Sequence, residues 1–424
     1  MSVIKDLANE ANIPKFYQVE QIFKTDHIEV KDIKNKVYKE LEKIDVNSLV
    51  KPGMTVAITC GSRGIANIKE ITKAIGEYFI EIGAKPFVTA TMGSHGGATA
   101  EGQRKILEDY GVTEEYLGFP VKSSMETSFV GKTPEGHSVL IDKNAYEADA
   151  IFVAGRIKAH TAFEGPHESG IMKMITIGLG KQQGAEVVHE SGFGTAHHTI
   201  PMFAKVTLQN TNIVGALGII ENAYDQTYDL VSMKNEEIDT VEPELLALAN
   251  SLMGKIYIPE VDVLIVDKIG KNMSGDGMDP NVTGRFGTPY RKSHFKKQRI
   301  AVLDLTDETH GNFNGLGLAD VTTKRVYDKV DLDETYPNAI TSTVLQMVKI
   351  PMVLPDDETA IKIAIRSCNN IDKDNPRIIR IRDTMSLKNI EVSEALVNEV
   401  KNNTNMKVVS EAYYLNFNEE GNLF

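Results

Sequence analysis

"MTVAITCGSRGIANIKEITKAIGEYFIEIG", residues 54–83, reads as one complete β-loop-α unit. "MTVAITC" is a short, apolar, β-prone run. "GSRG" breaks it, and "IANIKEITKAIGEYFIEIG" then repeats apolar residues at helical spacing until Gly83 can close the helix. The next stretch repeats the design. "KPFVTATMGSHGG" gives a strand over about 86–91 and a glycine-rich turn carrying His95, and the helical "TAEGQRKILEDYG" follows. "EADAIFVAGRIKAH" gives a third strand that runs into a loop with His160, and upstream "DIKNKVYKELEKI" has the spacing of an amphipathic helix. Strands alternating with helices imply a largely parallel sheet covered on both faces. Ligands of such sheets bind beyond the carboxyl ends of the strands. Arg63, His95 and His160 each follow a strand, so one fold rule brings all three to the same edge.

Working outward, "NIVGALGIIENAYD" and the helical "VEPELLALANSLMGKI" lead to Pro259 and a fresh strand, "VDVLIVD", at 261–267. The second half again reads α/β, with "QRIAVLDL" and "PRIIRIRDT" as strands and "NAITSTVLQMVK" as a helix. A chain of 424 residues exceeds what one core usually supports. The expectation is therefore two α/β domains with mainly parallel sheets, 1–258 and 259–424, and an active site in the cleft between them. No internal repeat or low-complexity tract points to a solenoid or a linker.

Composition narrows the class. Hydrophobic residues at 42% and charged residues at 25% suit a globular protein. A net charge of -13 argues against binding a phosphate backbone, so nucleic acid is not an expected partner. Cys60 and Cys368 stand far apart and form no CxxC pair, so reduced thiols are expected. The N-terminal "MSVIKDLANEANIPKF" lacks the apolar run of a signal peptide, and no segment has the length of a membrane span. The expected location is cytoplasmic, with no membrane partner.

Five of the ten histidines, His160, His167, His189, His197 and His198, crowd between positions 160 and 198. Imidazole titrates near neutrality and its neutral nitrogen ligates nickel, zinc, copper or iron, so the cluster suggests proton or metal chemistry. Taken singly, His167, His197 and His198 read as ordinary loop residues. The segment lacks HExxH and cysteine ligands, which leaves zinc little support. Lys173, in "ESGIMKMITIGLGK", would emerge among apolar neighbours, conditions that lower a lysine pKa and favour covalent chemistry. The bland alternative lays its stem over Met172 and Met174 on a helix surface.

"GLGKQQGA" resembles a phosphate loop only weakly and reads better as tight turns, while backbone N–H groups near Ser169 and Gly170 could hold a phosphate at a helix start. In the second half, "KIGKNMSGDGMDPNVTGR" follows a strand. Its Lys271 and Arg285 could pair with a substrate carboxylate. Asp276 and Asp279 could form a chance cation site, though not with EF-hand spacing.

At these residues the chain resembles the lactate racemase family, whose members use a nickel-pincer nucleotide to racemise or epimerise 2-hydroxy acids. "GSRGI" is similar to that family's arginine loop, "GSHGGATAEGQ" to its glycine-histidine motif, and "IKAHTAFEGPHESGIMKM" with "GLGKQQGAEVVH" to its histidine-lysine-histidine segment. The resemblance implies His95 and His160 as paired acid and base and Arg63 as a substrate-orienting or assisting group. It further implies Lys173 as the covalent anchor of the pyridinium-derived pincer nucleotide and His189 as the nickel ligand. The spacing from Lys173 to His189 is shared. The loop before the lysine is longer and less glycine-rich than the family's, so His167 competes with His160, which is preferred for its place at a strand end. This points to a divergent member.

The implied chemistry is proton removal from the hydroxyl by one histidine and reversible hydride transfer to the cofactor, with the other histidine serving the opposite face. Expected partners are a 2-hydroxy acid and the enzymes that synthesise the cofactor. The competing readings are a divalent-metal hydrolase or lyase using the histidine cluster, and a metabolite-binding protein on a decayed scaffold. Oligomeric state is not legible in one chain.

Overall fold

The computed structural model describes residues 3–62 and 64–424. The chain forms two compact units, one of residues Lys24–Met253 and one joining the segment up to Phe23 with Gly254–Phe424. The first strand, β1 (Phe16–Gln21), belongs to the second unit.

The unit of residues 24–253 is built on β2 (Thr55–Cys60), β3 (Lys85–Ala90), β4 (Val121–Lys122), β7 (Ala150–Arg156), β8 (Ile213–Glu221) and β9 (Thr227–Met233). A separate hairpin pairs β5 (Thr127–Lys132) with β6 (Ser138–Asp142). The order in the six-stranded sheet is β4-β3-β2-β7-β8-β9, parallel except for the antiparallel β8–β9 edge. Strands β2, β3 and β7 are therefore adjacent and parallel, which sets the loops after them side by side. Alternation along β2 explains the burial of both faces. Val56, Ile58 and Cys60 point into one core, with Ile33, Val37 and Leu41 of α1 (Val30–Lys43) and Ile71, Ile75 and Phe79 of α2 (Ile68–Glu81). Ala57 points to the opposite core with Ile151, Val153, Ile171 and Met172. Helix α2 ends as its sequence suggests: Ala84 N–H reaches back to Phe79 O at 2.9 Å across Gly83, whose φ is 84°.

In the other unit β1 joins β10 (Glu260–Ile269), β11 (Lys296–Leu305), β12 (Val321–Thr323), β13 (Met352–Leu354), β14 (Ile378–Ile381), β15 (Asn389–Ser393) and β16 (Met406–Val408). The order is β13-β12-β11-β10-β14-β15-β1-β16. The strands from β13 to β14 are parallel, and β1 pairs antiparallel with both β15 and β16. The first residues thus lie outside the domain 1–258 expected from the sequence. A strand separated from its neighbours by most of the chain has no local signature of that pairing. The helix expected in "NAITSTVLQMVK" instead spans Leu332–Ser342, because Asp331 caps its start by accepting from Asp333 N and Glu334 N, and Thr343 at φ 60° stops it. No helix among the described residues is long and apolar enough to cross a membrane.

Candidate active site

The loop after β3 carries His95 and ends in α3 (Ala100–Asp109), where the Thr99 side chain accepts Gly102 N–H as the cap. Ser62, in the loop after neighbouring β2, hydrogen-bonds His95 Nδ1, and Tyr110 OH donates to Ser62 O at 2.9 Å. The imidazole is exposed, so Ser62 orients a ring that solvent or substrate can reach. Arg63 lies outside the described residues. Its loop is tied at Gly64 and Ala66. Arg156 Nη1 donates to Gly64 O at 2.9 Å, and Glu221, paired with Arg156 at 2.7 Å, accepts Ala66 N–H at 2.7 Å.

The loop after β7 is held from inside. Glu168 is only 3% exposed, and its carboxylate accepts the backbone N–H of His160 at 2.6 Å and that of Gly165 at 3.3 Å. The His160 ring packs on Phe163, with centroids 4.4 Å apart, and near Phe193 at 6.0 Å. Lys173 sits on α4 (Ile171–Lys173), which widens into a π-turn over Met174–Gly178, Leu179 N–H reaching Met174 O at 2.8 Å. Its Nζ is 2.7 Å from His160 Nε2, and His160 Nδ1 accepts the N–H of Ala162 at 3.0 Å. The Lys173 amine, the His160 ring and the Ala162 backbone are thereby joined in one hydrogen-bonded chain.

His189 is on α5 (Lys181–Glu190), half-buried, with its ring edge-on to Phe193 at 5.7 Å. Burial lowers its pKa, and a charge on Lys173 acts in the same direction. The imidazole is thereby kept in the neutral form that ligates metals.

His167 is 3% exposed and enclosed by α7 (Ile238–Leu252): Nε2 is 3.0 Å from Asp239 and Nδ1 3.8 Å from Glu242. Its ring is occupied by α7. His197 and His198 are exposed, on α6 (Ala196–Asn210), with His198 Nε2 3.6 Å from Glu135. Two N–H groups around the expected phosphate position are already used. Ser169 N–H donates to Lys158 O at 3.1 Å, and buried Glu242 accepts Met172 N–H at 2.9 Å. Gly170 is the residue that permits this entry, since a Cβ there would lie 2.3 Å from Glu242 Oε1. A carboxylate at that helix start opposes an anion, so the phosphate role of Ser169 and Gly170 is withdrawn.

Lys271 and Arg285 belong to the other unit. Lys271 Nζ donates to Gly275 O at 2.8 Å, and Arg285 is bound to Asp320, Leu318 O and Gln298 O. Asp279 caps a short helix by accepting Asn281 N–H at 2.9 Å. Among the described residues no group of three or more His, Cys, Asp or Glu side chains is placed to hold a metal ion, and so no donor set favours a conventional divalent-metal hydrolase.

Ser62, Glu168, Glu242 and the aromatic pair Phe163 and Phe193 were not singled out in the sequence. Ser62 and Glu168 stand within the quoted stretches and differ from their neighbours only by their partners. Glu242 is 70 residues from its partner Met172, and no local pattern signals it.

The parallel sheet, with His95 and His160 in the loops after its strands, defines an α/β protein. Residues 6–199 match the family model described as the lactate racemase N-terminal domain, and over this segment the chain is similar to that family. No curated protein matches the sequence. Among solved structures the fold is similar to that of the lactate racemase apoprotein from Thermoanaerobacterium thermosaccharolyticum, with a TM-score of 0.52 and 14% identity over 87% of this chain and 99% of that one.

Proposed function

We propose that the chain is a racemase or epimerase of a 2-hydroxy acid that depends on a nickel-pincer nucleotide, with Lys173 as the anchor and His189 as the nickel ligand. The observation that carries this reading is the Lys173–His160 contact of 2.7 Å with Ala162 N–H on the other ring nitrogen. An imidazole beside the amine is a group that can take the lysine proton, which an amine nucleophile must lose before it forms an amide-type bond. The donor set fits the group as well: one neutral imidazole supplies a single metal ligand, and the remaining positions suit a cofactor that brings its own. When bound, the nucleotide supplies a hydride acceptor at the substrate carbon.

The chain's own residues supply proton transfer and orientation. For His95 to take the hydroxyl proton at Nε2, its Nδ1–H donates to Ser62 Oγ, the contact that orients the ring. His160 is the second proton carrier, serving the opposite face of the substrate. Inversion of a stereocentre needs that complementary pair. Phe163 and Phe193 exclude water around His160, strengthening its hydrogen bonds. Arg63 is the cation proposed for the substrate carboxylate.

The test is intact mass and metal analysis of protein made in its own host or beside the enzymes that build the nucleotide. One nickel per chain and a mass increment on the Lys173 peptide are expected; absence of both overturns the reading.

A further inference from the structure

Lys181 plays no part in the chemistry above, yet it is among the most enclosed side chains of the molecule. It is 0% exposed, as is Asp142, whose Oδ2 lies 3.0 Å from the Lys181 ammonium and takes no other hydrogen bond. Its backbone is left-handed, at φ 56°, which a side-chain-bearing residue adopts at a cost. A fully buried ion pair is a poor source of net stability, because the desolvation of both charges offsets their attraction. Two unfavourable features at one residue call for a compensating role.

The contacts show what the ammonium holds. Its other acceptors are Ala90 O, at the last residue of β3, and Gln103 Oε1 at 3.3 Å. An ammonium only donates, so the Gln103 oxygen must face Lys181 and the Gln103 NH2 must face away. That NH2 donates to Gly93 O at 2.9 Å and to His95 O at 3.2 Å. The loop between them is left-handed at Gly93 and Gly96, and a Cβ at Gly96 would lie 2.6 Å from Gln103 N, so the loop is wrapped tightly on this amide. Asp142 completes the anchor from β6, its Oδ1 accepting from Thr89 Oγ1 at 3.2 Å and from Ala145 N at 2.9 Å. Lys181 follows the π-turn of Lys173, and Gly93 N–H also meets Gly178 O at 3.4 Å.

We infer that Lys181 is a positioning residue: through Gln103 it sets the backbone of the His95 loop against the segment that carries Lys173. The ammonium selects the amide orientation, and the amide selects the loop conformation. This rests on the reading of His95 as a proton shuttle, but its structural claim holds in the absence of cofactor.

The experiment uses imidazole ¹⁵N spectra of the full chain, with the His95 signals assigned by their loss in His95→Gln. Lys181→Met combined with Asp142→Asn removes both buried charges at similar volume, and Gln103→Met removes the amide while leaving the ion pair. Both are expected to move the His95 signals and leave those of His27 in place. In protein carrying the Lys173 adduct, kcat should fall at least about tenfold with KM changed less than about threefold, the signature of a displaced catalytic group. If the paired substitution unfolds the chain, Gln103→Met decides alone. His95 signals unmoved in Gln103→Met, or a loss of thermal stability alone, would overturn the inference. Because the spectra require no adduct, an absent mass increment on Lys173 counts against the proposed function and not against this role.

Discussion

In the unit of residues 24–253, loops after the strands bring imidazoles into hydrogen bonds: Ser62 with His95, His160 with Lys173. In the other unit the groups at and beside the strand ends meet as ion pairs: Arg380 grips Asp267 at 2.7 Å and Glu391 at 2.7 Å, Lys329 meets Asp304 at 2.9 Å, and Arg325 meets Asp357 at 2.9 Å. Both units are α/β with parallel cores, so the fold does not account for the difference. Opposite charges in contact favour each other's charged forms, against burial that still raises the Asp267 pKa to about 6. A histidine beside a serine or an amine keeps its lone pair or its proton available. Ion pairs also close strand ends of the first unit, as Arg156 with Glu221 at 2.7 Å, so what sets that unit apart is its hydrogen-bonded imidazoles.

The sharpest way to break this contrast is Lys173→Ala, which should reduce racemisation, followed by chiral chromatography, to background while the fold is unchanged by circular dichroism. Unaltered turnover would sink the proposal. Next in size, His95→Gln and His160→Gln should each lower kcat by about 10²–10⁴-fold, the usual worth of a positioned acid or base. A residual rate equal to that of the unsubstituted protein would remove that histidine from the pair. On the architectural side, Asp267→Ala leaves the Arg380 guanidinium, with 15% of its side chain exposed, short of its bidentate partner. It should cost about 3 kcal/mol in denaturant unfolding. The amine reactivity of Lys173, read by peptide mass after acylation at neutral pH, should stay as it was.

The smallest effect concerns Lys297, whose pKa burial pushes down to about 7, with the neighbouring Arg285 charge adding to it. The unfolded chain holds that proton more tightly. Stability contributed by Lys297 is therefore lost as pH falls from its ordinary 10.5 towards about 7. Relative to the wild type, Lys297→Met should gain about 2–4 °C in Tm more at pH 7 than at pH 10. A difference independent of pH would refute the depressed pKa.

The β-loop-α units were legible because their signals are local. The apolar run of β2, the helical spacing of α2 and the closing Gly83 all lie within thirty residues of sequence 54–83. The placement of His95 and His160 after the two strands that flank β2 followed from the same alternation and the parallel order β3-β2-β7. What escaped was every role assigned by a distant partner. Strand β1 found its neighbours at the far end of the chain, Glu242 reached back to Met172, and the phosphate expected at Ser169 and Gly170 met a carboxylate.

By itself, then, the sequence determined the class of fold and the loops after the strands that carry His95 and His160, since propensity and periodicity act over a few neighbouring residues. Only the tertiary structure decided which histidine meets Lys173 and which is enclosed by Asp239 and Glu242. It also decided that Lys181, which in sequence looked like part of a turn, is buried against Asp142. Protonation and hydrogen-bond roles depend on the groups a side chain faces, and those groups arrive from elements that only folding brings together.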